Sequence, residues 1–265
     1  TEMENKKPFV WSHRGASGYC PENTLAAFEK AVELKSDGVE LDVQLTSDGE
    51  MVICHDEKVD RTSNGKGWIK DMTFDEIRAL DFSCGNQDFK GAKIPTLQEV
   101  FELLKHTELI INIELKTGIV FYNGIEKKVI DLVEEYGFMK RVIFSSFNHY
   151  TVKRVKELRP EAKCGFLYMD GPIDMPGYGK FHGVEALHPA LYNLQFPDFM
   201  KDCREKGLEV NVWTANSEEH IIFCCKAGVN AIITDYPDKT RAVIDTPAKP
   251  YRNEETGEPC AETLK

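Results

Sequence analysis

Gly38-Val-Glu-Leu-Asp-Val-Gln-Leu-Thr-Ser-Asp-Gly-Glu-Met-Val-Ile-Cys-His-Asp56 reads as a strand, a tight turn and a returning arm. Side chains alternate across a strand, so Val39, Leu41, Val43 and Leu45 share one face and Glu40, Asp42 and Gln44 the other. Asp48-Gly49 matches a two-residue hairpin loop, whose type I′ turn needs positive φ at both positions. That loop sets Ser47 opposite Glu50, Leu45 opposite Val52 and Asp42 opposite His55. Two carboxylates and an imidazole then lie on one polar face. The plain alternative is the solvated side of an ordinary hairpin, and the rest of the chain decides between them.

Working outward, Phe9-Val-Trp-Ser-His13 is a strand that precedes a helix over 25–34, capped by Thr24. Residues 57–94 are rich in turn residues around one helix at 74–80, an insertion rather than a repeat unit. After Pro95, strands at 109–115, 141–146, 163–168, 183–188, 209–214 and 231–235 alternate with helices or crossovers. The helices are expected at 97–105, 123–136, 149–158, 197–206, 217–226 and 238–244, with a Gly/Pro-rich link over 170–179. Counting 9–14 and 38–45, eight strands are each followed by a crossover, and 51–55 is left over as the hairpin's return arm. Eight such units predict an α/β fold, a (β/α)8 TIM barrel with a small insertion after the second strand. A doubly wound sheet is the runner-up, and the absence of a Gly-rich dinucleotide fingerprint counts against it. The expected organisation is a single domain over 1–265, with a polar tail from Pro247 that is either disordered or a surface strap.

Composition narrows the function. The chain has 265 residues, 42% hydrophobic and 29% charged, with a formal charge of −11, which argues against a nucleic-acid partner. A small phosphorylated ligand held by local cations stays open. No run approaches the ~18 apolar residues of a membrane span, so stable membrane insertion is not expected. The first eight residues lack a signal-peptide core, and the start at Thr1 leaves a removed leader open. Eight cysteines form no C-x-x-C pair and suit small buried thiols in a reducing, cytoplasmic setting. A monomer or a homodimer fits equally.

A barrel places its site at the C-terminal ends of its strands, and polar residues gather there at six of the eight: His13-Arg14, Glu40 and Asp42, Glu114 and Lys116, His188, Trp213-Thr214 and Thr234-Asp235. Glu40, Asp42 and Glu114 come from adjacent strands and repel one another unless a cation neutralises them. Oxygen-only ligands favour Mg²⁺ or Ca²⁺ over zinc; the alternative is a salt-bridge cluster with Arg14 and Lys116. His13 and His55 flank the carboxylates and suit general acid–base work, one of them being otherwise a metal ligand. Arg14 and Lys116 suit an anionic group such as phosphate. Trp213 walls the pocket or simply packs. His188 is expected to be packed or to support the site from behind, and His106, His149, His182 and His220 are read as ordinary surface or packing residues.

His13-Arg-Gly15, Pro21-Glu-Asn-Thr24, Glu40-Leu-Asp42, His55-Asp56, Asp60-Arg-Thr62 with Asn64-Gly65, Ile113-Glu-Leu-Lys116 and Val212-Trp-Thr214 resemble the glycerophosphodiester phosphodiesterases. The likeness runs on to Thr234-Asp-Tyr-Pro237 and leaves only the two ends uncovered. It implies a (β/α)8 barrel and metal-dependent hydrolysis of glycerophosphodiesters to glycerol 3-phosphate and an alcohol. By the same resemblance Glu40, Asp42 and Glu114 are the ligands of one divalent cation, His13 and His55 the acid–base pair, and Arg14 and Lys116 the phosphate-binding residues.

Two rivals stand beside that expectation. A phospholipase D-like activity on lysophospholipid or sphingomyelin calls for an apolar rim, for which Phe121, Tyr122, Tyr168, Met169, Met175 and Phe181 are the candidates. A non-catalytic phosphate-binding barrel calls for a decayed proton-transfer or ligand set, and here both sets are complete.

Overall fold

A computed structural model describes residues 6–246. Its strands are β1 (Phe9–His13), β2 (Gly38–Leu45), β3 (Met51–Ile53), β4 (Ile110–Leu115), β5 (Val142–Ser146), β6 (Cys164–Tyr168), β7 (Ala186–Pro189), β8 (Glu209–Val212) and β9 (Ala231–Thr234). The helices are α1 (Leu25–Glu33), α2 (Phe74–Arg78), α3 (Leu97–Leu104), α4 (Ile125–Glu135), α5 (His149–Leu158), α6 (Met175–His182), α7 (Phe199–Lys206), α8 (Glu218–Ala227) and α9 (Pro237–Asp245).

All strands but β3 pair in parallel, and β1 bonds to both β2 and β9, which closes an eight-stranded barrel. The fold is the expected (β/α)8 barrel. Its strands alternate as predicted, yet neither face is wet: all eight residues of β2 are buried. Val39, Leu41, Val43 and Leu45 pack outward against the helix layer with Ile111, Ile113 and Phe144. The inward face carries Glu40 and Asp42 near the mouth, while Trp11, Ile143, Ala231 and Ile233 form a small separate cluster. A barrel that fills its own interior gives polar residues a buried home only where they can bond one another or a ligand.

The hairpin differs from expectation by one residue. Leu45 pairs with Met51 and Val43 with Ile53, and Cys54 N donates to Asp42 O, so Asp42 faces Cys54 rather than His55. Thr46 is the cause. Its backbone N–H donates to Glu50 O, and its hydroxyl accepts the Glu50 N–H at 2.9 Å, which extends the pairing by a residue. The loop is then Ser47-Asp48-Gly49, closed by Gly49 N donating to Thr46 O, with Gly49 at φ +83°. This is the three-residue hairpin that ends in a left-handed glycine, not the two-residue loop.

The segment 170–179 also departs from the link expected there. It contains most of α6, and β7 starts at Ala186 rather than 183. Asp174 caps the helix by accepting from Gly177 N at 2.9 Å, and Pro176 sits in the first turn, where no N–H is needed. A Cβ on Gly177 would lie 2.1 Å from the Asp174 carboxylate. The residues that read as a helix-breaking link are helix-starting ones.

Between β3 and α3, Val59, Ile69, Ile77, Phe82 and Ile94 pack with Val52 and Cys54 into a cluster of their own beside the mouth. The tail from Pro247, including Cys260, lies outside the described residues. Cys20, Cys54, Cys164, Cys203 and Cys224 are buried free thiols, Cys225 is half-buried and Cys84 is exposed. No described helix is long and apolar enough to cross a membrane.

Candidate active site

Parallel pairing of β2 with β4 sets Asp42 level with Glu114, and β1 pairing sets His13 level with Glu40. The register thus gathers Glu40, Asp42 and Glu114, one ligand oxygen from each lying within 4.8 Å of the others, all buried. Burial and the neighbouring Asp42 and Glu114 charges hold Glu40 well above the usual carboxylate range. Burial likewise pushes Glu114 up to about 7, although Lys116 pulls the other way. Asp42 differs: burial raises it, but the charges of His55, Lys116 and Arg14 outweigh that and bring it down to about 2.

The salt-bridge alternative is partly built. Lys116 Nζ lies 3.2 Å from Glu114 Oε1, and the Arg14 backbone N–H donates to Glu40 Oε2 at 3.0 Å. Arg14 Nε, however, stands 3.7 Å from Asp42 Oδ2, and its Nη1 is committed to Glu22 at 2.9 Å. Asp42 Oδ1 and Arg14 Nε are buried with no hydrogen-bond partner. Two side-chain cations do not satisfy three buried carboxylates, and an orphaned carboxylate oxygen among them fits a divalent cation. The cluster has the composition and the burial to hold one.

Each candidate histidine is held at Nδ1 by a carboxylate. His13 Nδ1 lies 2.7 Å from Asp235 Oδ1, which also accepts from Ser17, while Asn216 donates to Oδ2. His55 Nδ1 lies 2.7 Å from Asp56 Oδ1. Burial lowers His55 from its ordinary value. Its backbone is fixed by Gln44, whose amide donates to Cys54 O at 2.8 Å and Asp56 O at 2.7 Å. Tyr122 OH in turn donates to Gln44 Oε1 at 2.9 Å. So His55 reaches the mouth through Gln44 and the strand's return, not through direct pairing with Asp42.

Trp213 is half-buried; its indole N–H donates to His188 O at 2.9 Å and its ring meets Phe147 edge-on at 5.7 Å. His188 is wholly buried, which agrees with a packed role. Several partners went unassigned in the sequence reading. Asn23 Nδ2 donates to Asp42 Oδ2 at 2.8 Å, and Glu22, Asp56, Arg61 and Asp235 orient the charged groups above. Arg14 and Asn23 both have positive φ, 56° and 58°, uncommon for residues with a Cβ and found here at the site itself.

The profile of the glycerophosphoryl diester phosphodiesterase family matches residues 13–239. The chain belongs to that family. A glycerophosphodiester phosphodiesterase of Caldanaerobacter subterraneus subsp. tengcongensis is 46% identical over 233 residues, covering 88% of this chain and 96% of the relative. The structure of an Oleispira antarctica phosphodiesterase, in complex with the product sn-glycerol-3-phosphate, is similar with a TM-score of 0.80 at 31% identity, over 91% of this chain and 98% of that one. A glycerophosphodiester phosphodiesterase structure from Agrobacterium tumefaciens gives 0.78 at 29% identity, over 89% and 99%. As a glycerophosphodiester phosphodiesterase, the chain is an enzyme with its polar cluster at the mouth of the barrel, where this fold carries its chemistry.

Proposed function

We propose that the protein hydrolyses glycerophosphodiesters to glycerol 3-phosphate and a free alcohol, with His13 and His55 moving the protons. The observation that carries this reading is the pair of histidines held at Nδ1 by Asp235 and Asp56 beside the buried Glu40, Asp42 and Glu114. A carboxylate on Nδ1 fixes the neutral tautomer with the proton there, so Nε2 is the atom that exchanges protons. One histidine takes the proton of the nucleophile, which is water or the substrate's own glycerol hydroxyl. The new P–O bond forms, the P–O bond to the alcohol breaks, and the other histidine protonates the leaving oxygen. Attack by water gives glycerol 3-phosphate directly; attack by the glycerol hydroxyl gives a cyclic phosphate, which water then opens to glycerol 3-phosphate by a second displacement.

Glu40, Asp42 and Glu114 would hold one divalent cation, Mg²⁺ or Ca²⁺, which when bound supplies charge neutralisation at the phosphoryl oxygens. Arg14 and Lys116 supply the rest, Arg14 with a buried Nε that lacks a hydrogen-bond partner. His13→Ala and His55→Ala should each lower kcat by ~10²–10⁴-fold while divalent-ion binding persists. Near-parental turnover in either variant overturns the assignment of that histidine.

One observation favours a second reading, the phospholipase D-like one. Ile119 and Phe121 after β4, Phe147 after β5, Met169 and Ile173 after β6 and Phe196 after β7 are all exposed on consecutive loops at the strands' C-terminal ends. Of the rim expected from sequence, Phe121 and Met169 belong to it. Tyr168 and Met175 are buried, Tyr122 is tied to Gln44, and Phe181 lies at the far end of α6. Clustered exposed apolar side chains mark an interaction surface. Choline release from lysophosphatidylcholine, compared with glycerophosphocholine, separates the two: a lysolipid preference that Phe121→Ser with Ile173→Ser abolishes supports the second.

A further inference from the structure

Five charged or ionisable groups form a continuous chain across the mouth. Arg14 Nη1 donates to Glu22 Oε1 at 2.9 Å. Arg61 Nη1 and Nη2 donate to the two Glu22 oxygens, both at 2.8 Å. The same Arg61 gives Nε to Asp56 Oδ2 and Nη2 to Asp56 Oδ1, both at 2.8 Å. Asp56 Oδ1 lies 2.7 Å from His55 Nδ1. One guanidinium therefore clamps two carboxylates, and each carboxylate holds a residue of the reaction site.

We propose that Arg61 is a positioning residue that sets His55 through Asp56 and Arg14 through Glu22. The inference rests on the roles given to His55 and Arg14 under the proposed function.

The Arg61 side chain is 49% exposed, so solvent screens part of its attraction to Glu22 and Asp56. Its geometry, by contrast, is tightly specified. Arg61 is carried by the segment beside the mouth, anchored on either side by buried Val59, Thr62 and Ile69. Val59 N donates to Gly67 O at 3.0 Å and Ile69 N to Glu57 O at 2.9 Å, which fixes the backbone that presents it. The guanidinium fork matches two carboxylates at once, which an ammonium does not.

The charges alternate along the chain. Arg61 lowers Asp56 through its hydrogen bond, and it lowers Glu22 together with Arg14 against the opposing effect of burial. Both carboxylates thus stay ionised and bonded to the group each one holds. Without Arg61 each keeps a single tether, and Arg14 and His55 gain freedom to swing. Misplacement of a reacting group by about 1 Å costs ~10²-fold in rate.

The two arms have different kinetic signatures, which makes the inference testable in the full chain with divalent ion and glycerophosphocholine. Asp56→Asn should act on proton transfer and lower kcat with KM near parental. Glu22→Gln should act on phosphate binding and raise KM with kcat near parental. Arg61→Met, which keeps the stem and removes the fork, should show both effects, each about 10-fold or more. In an Asp56→Asn, Glu22→Gln background it should add less than twofold. Arg61→Lys, which retains the charge and folds with a parental Tm, should recover only one of the two effects.

Parental kcat and KM in folded Arg61→Met and Arg61→Lys, or a loss of Tm alone, overturn the inference. The outcome for the underlying reading is read separately. Inactive His55→Ala beside fully active Arg61→Met sinks the inference and leaves the reading standing. Fully active His55→Ala and Arg14→Ala sink the reading itself.

Discussion

His13 Nδ1 and Asp235 Oδ1 lie 2.7 Å apart, although 222 residues separate them in sequence. Closure of the barrel brings them together, because β9 pairs with β1 and ends beside it. Asp235 stays below the ordinary carboxylate range: burial pushes it up, but its bonds to His13, Asn216 and Ser17 outweigh that. An ionised Asp235 selects the Nδ1–H tautomer of His13. Asp235→Asn keeps the shape but offers no such charge, so kcat should fall by ~10²-fold with KM little changed. Steady-state kinetics check this, and a kcat within twofold of parental contradicts it.

Asn23 bears on the carboxylate cluster. Its amide donates to Asp42 Oδ2 from a backbone at φ 58°, so Asn23→Gly removes the bond without opposing the conformation. Divalent-ion affinity should weaken ~10-fold, the usual cost of losing a group that orients a ligand. The readout is thermal: millimolar Mg²⁺ or Ca²⁺ should raise the Tm of chelator-treated parent by several degrees, and the midpoint of that rise reports affinity. Asp42→Asn should abolish the response. A parental Tm indifferent to both ions contradicts the assignment.

His188 gives the pH prediction. It is wholly buried, Asn211 Nδ2 donates to its Nε2 at 3.1 Å, and its Nδ1 has no partner, so burial lowers it to about 3. The unfolded chain binds a proton there below about 6.5, and the folded chain does not until far lower. Its contribution is therefore full above pH 6.5 and declines as pH falls from there toward 3, costing about 2 kcal/mol by pH 5. Denaturant melts at pH 7.5 and 5.0 should show a smaller loss for His188→Gln than for the parent. Equal losses contradict the prediction.

Much of this was readable from residue order. Period-two alternation found the barrel strands, and Thr24 caps the helix it is expected to start. Two local rules gave way to local chemistry. The Thr46 hydroxyl lengthened the hairpin pairing beyond what Asp48-Gly49 alone implies, and Asp174 turned Met-Pro-Gly-Tyr-Gly into a helix start. The supporting charges were illegible for a different reason. Arg61 meets Glu22 across 39 positions and His13 meets Asp235 across 222, and no spacing rule reaches that far. What the sequence did show was polar residues at strand ends; their partners needed the closed barrel.

The most direct test is phosphorus NMR of glycerophosphocholine incubated with the protein and a divalent ion, then repeated with chelator in excess. The account predicts one phosphomonoester, glycerol 3-phosphate, matched by free choline and absent under chelation. Phosphocholine with free glycerol, or turnover unaffected by the chelator, would contradict it.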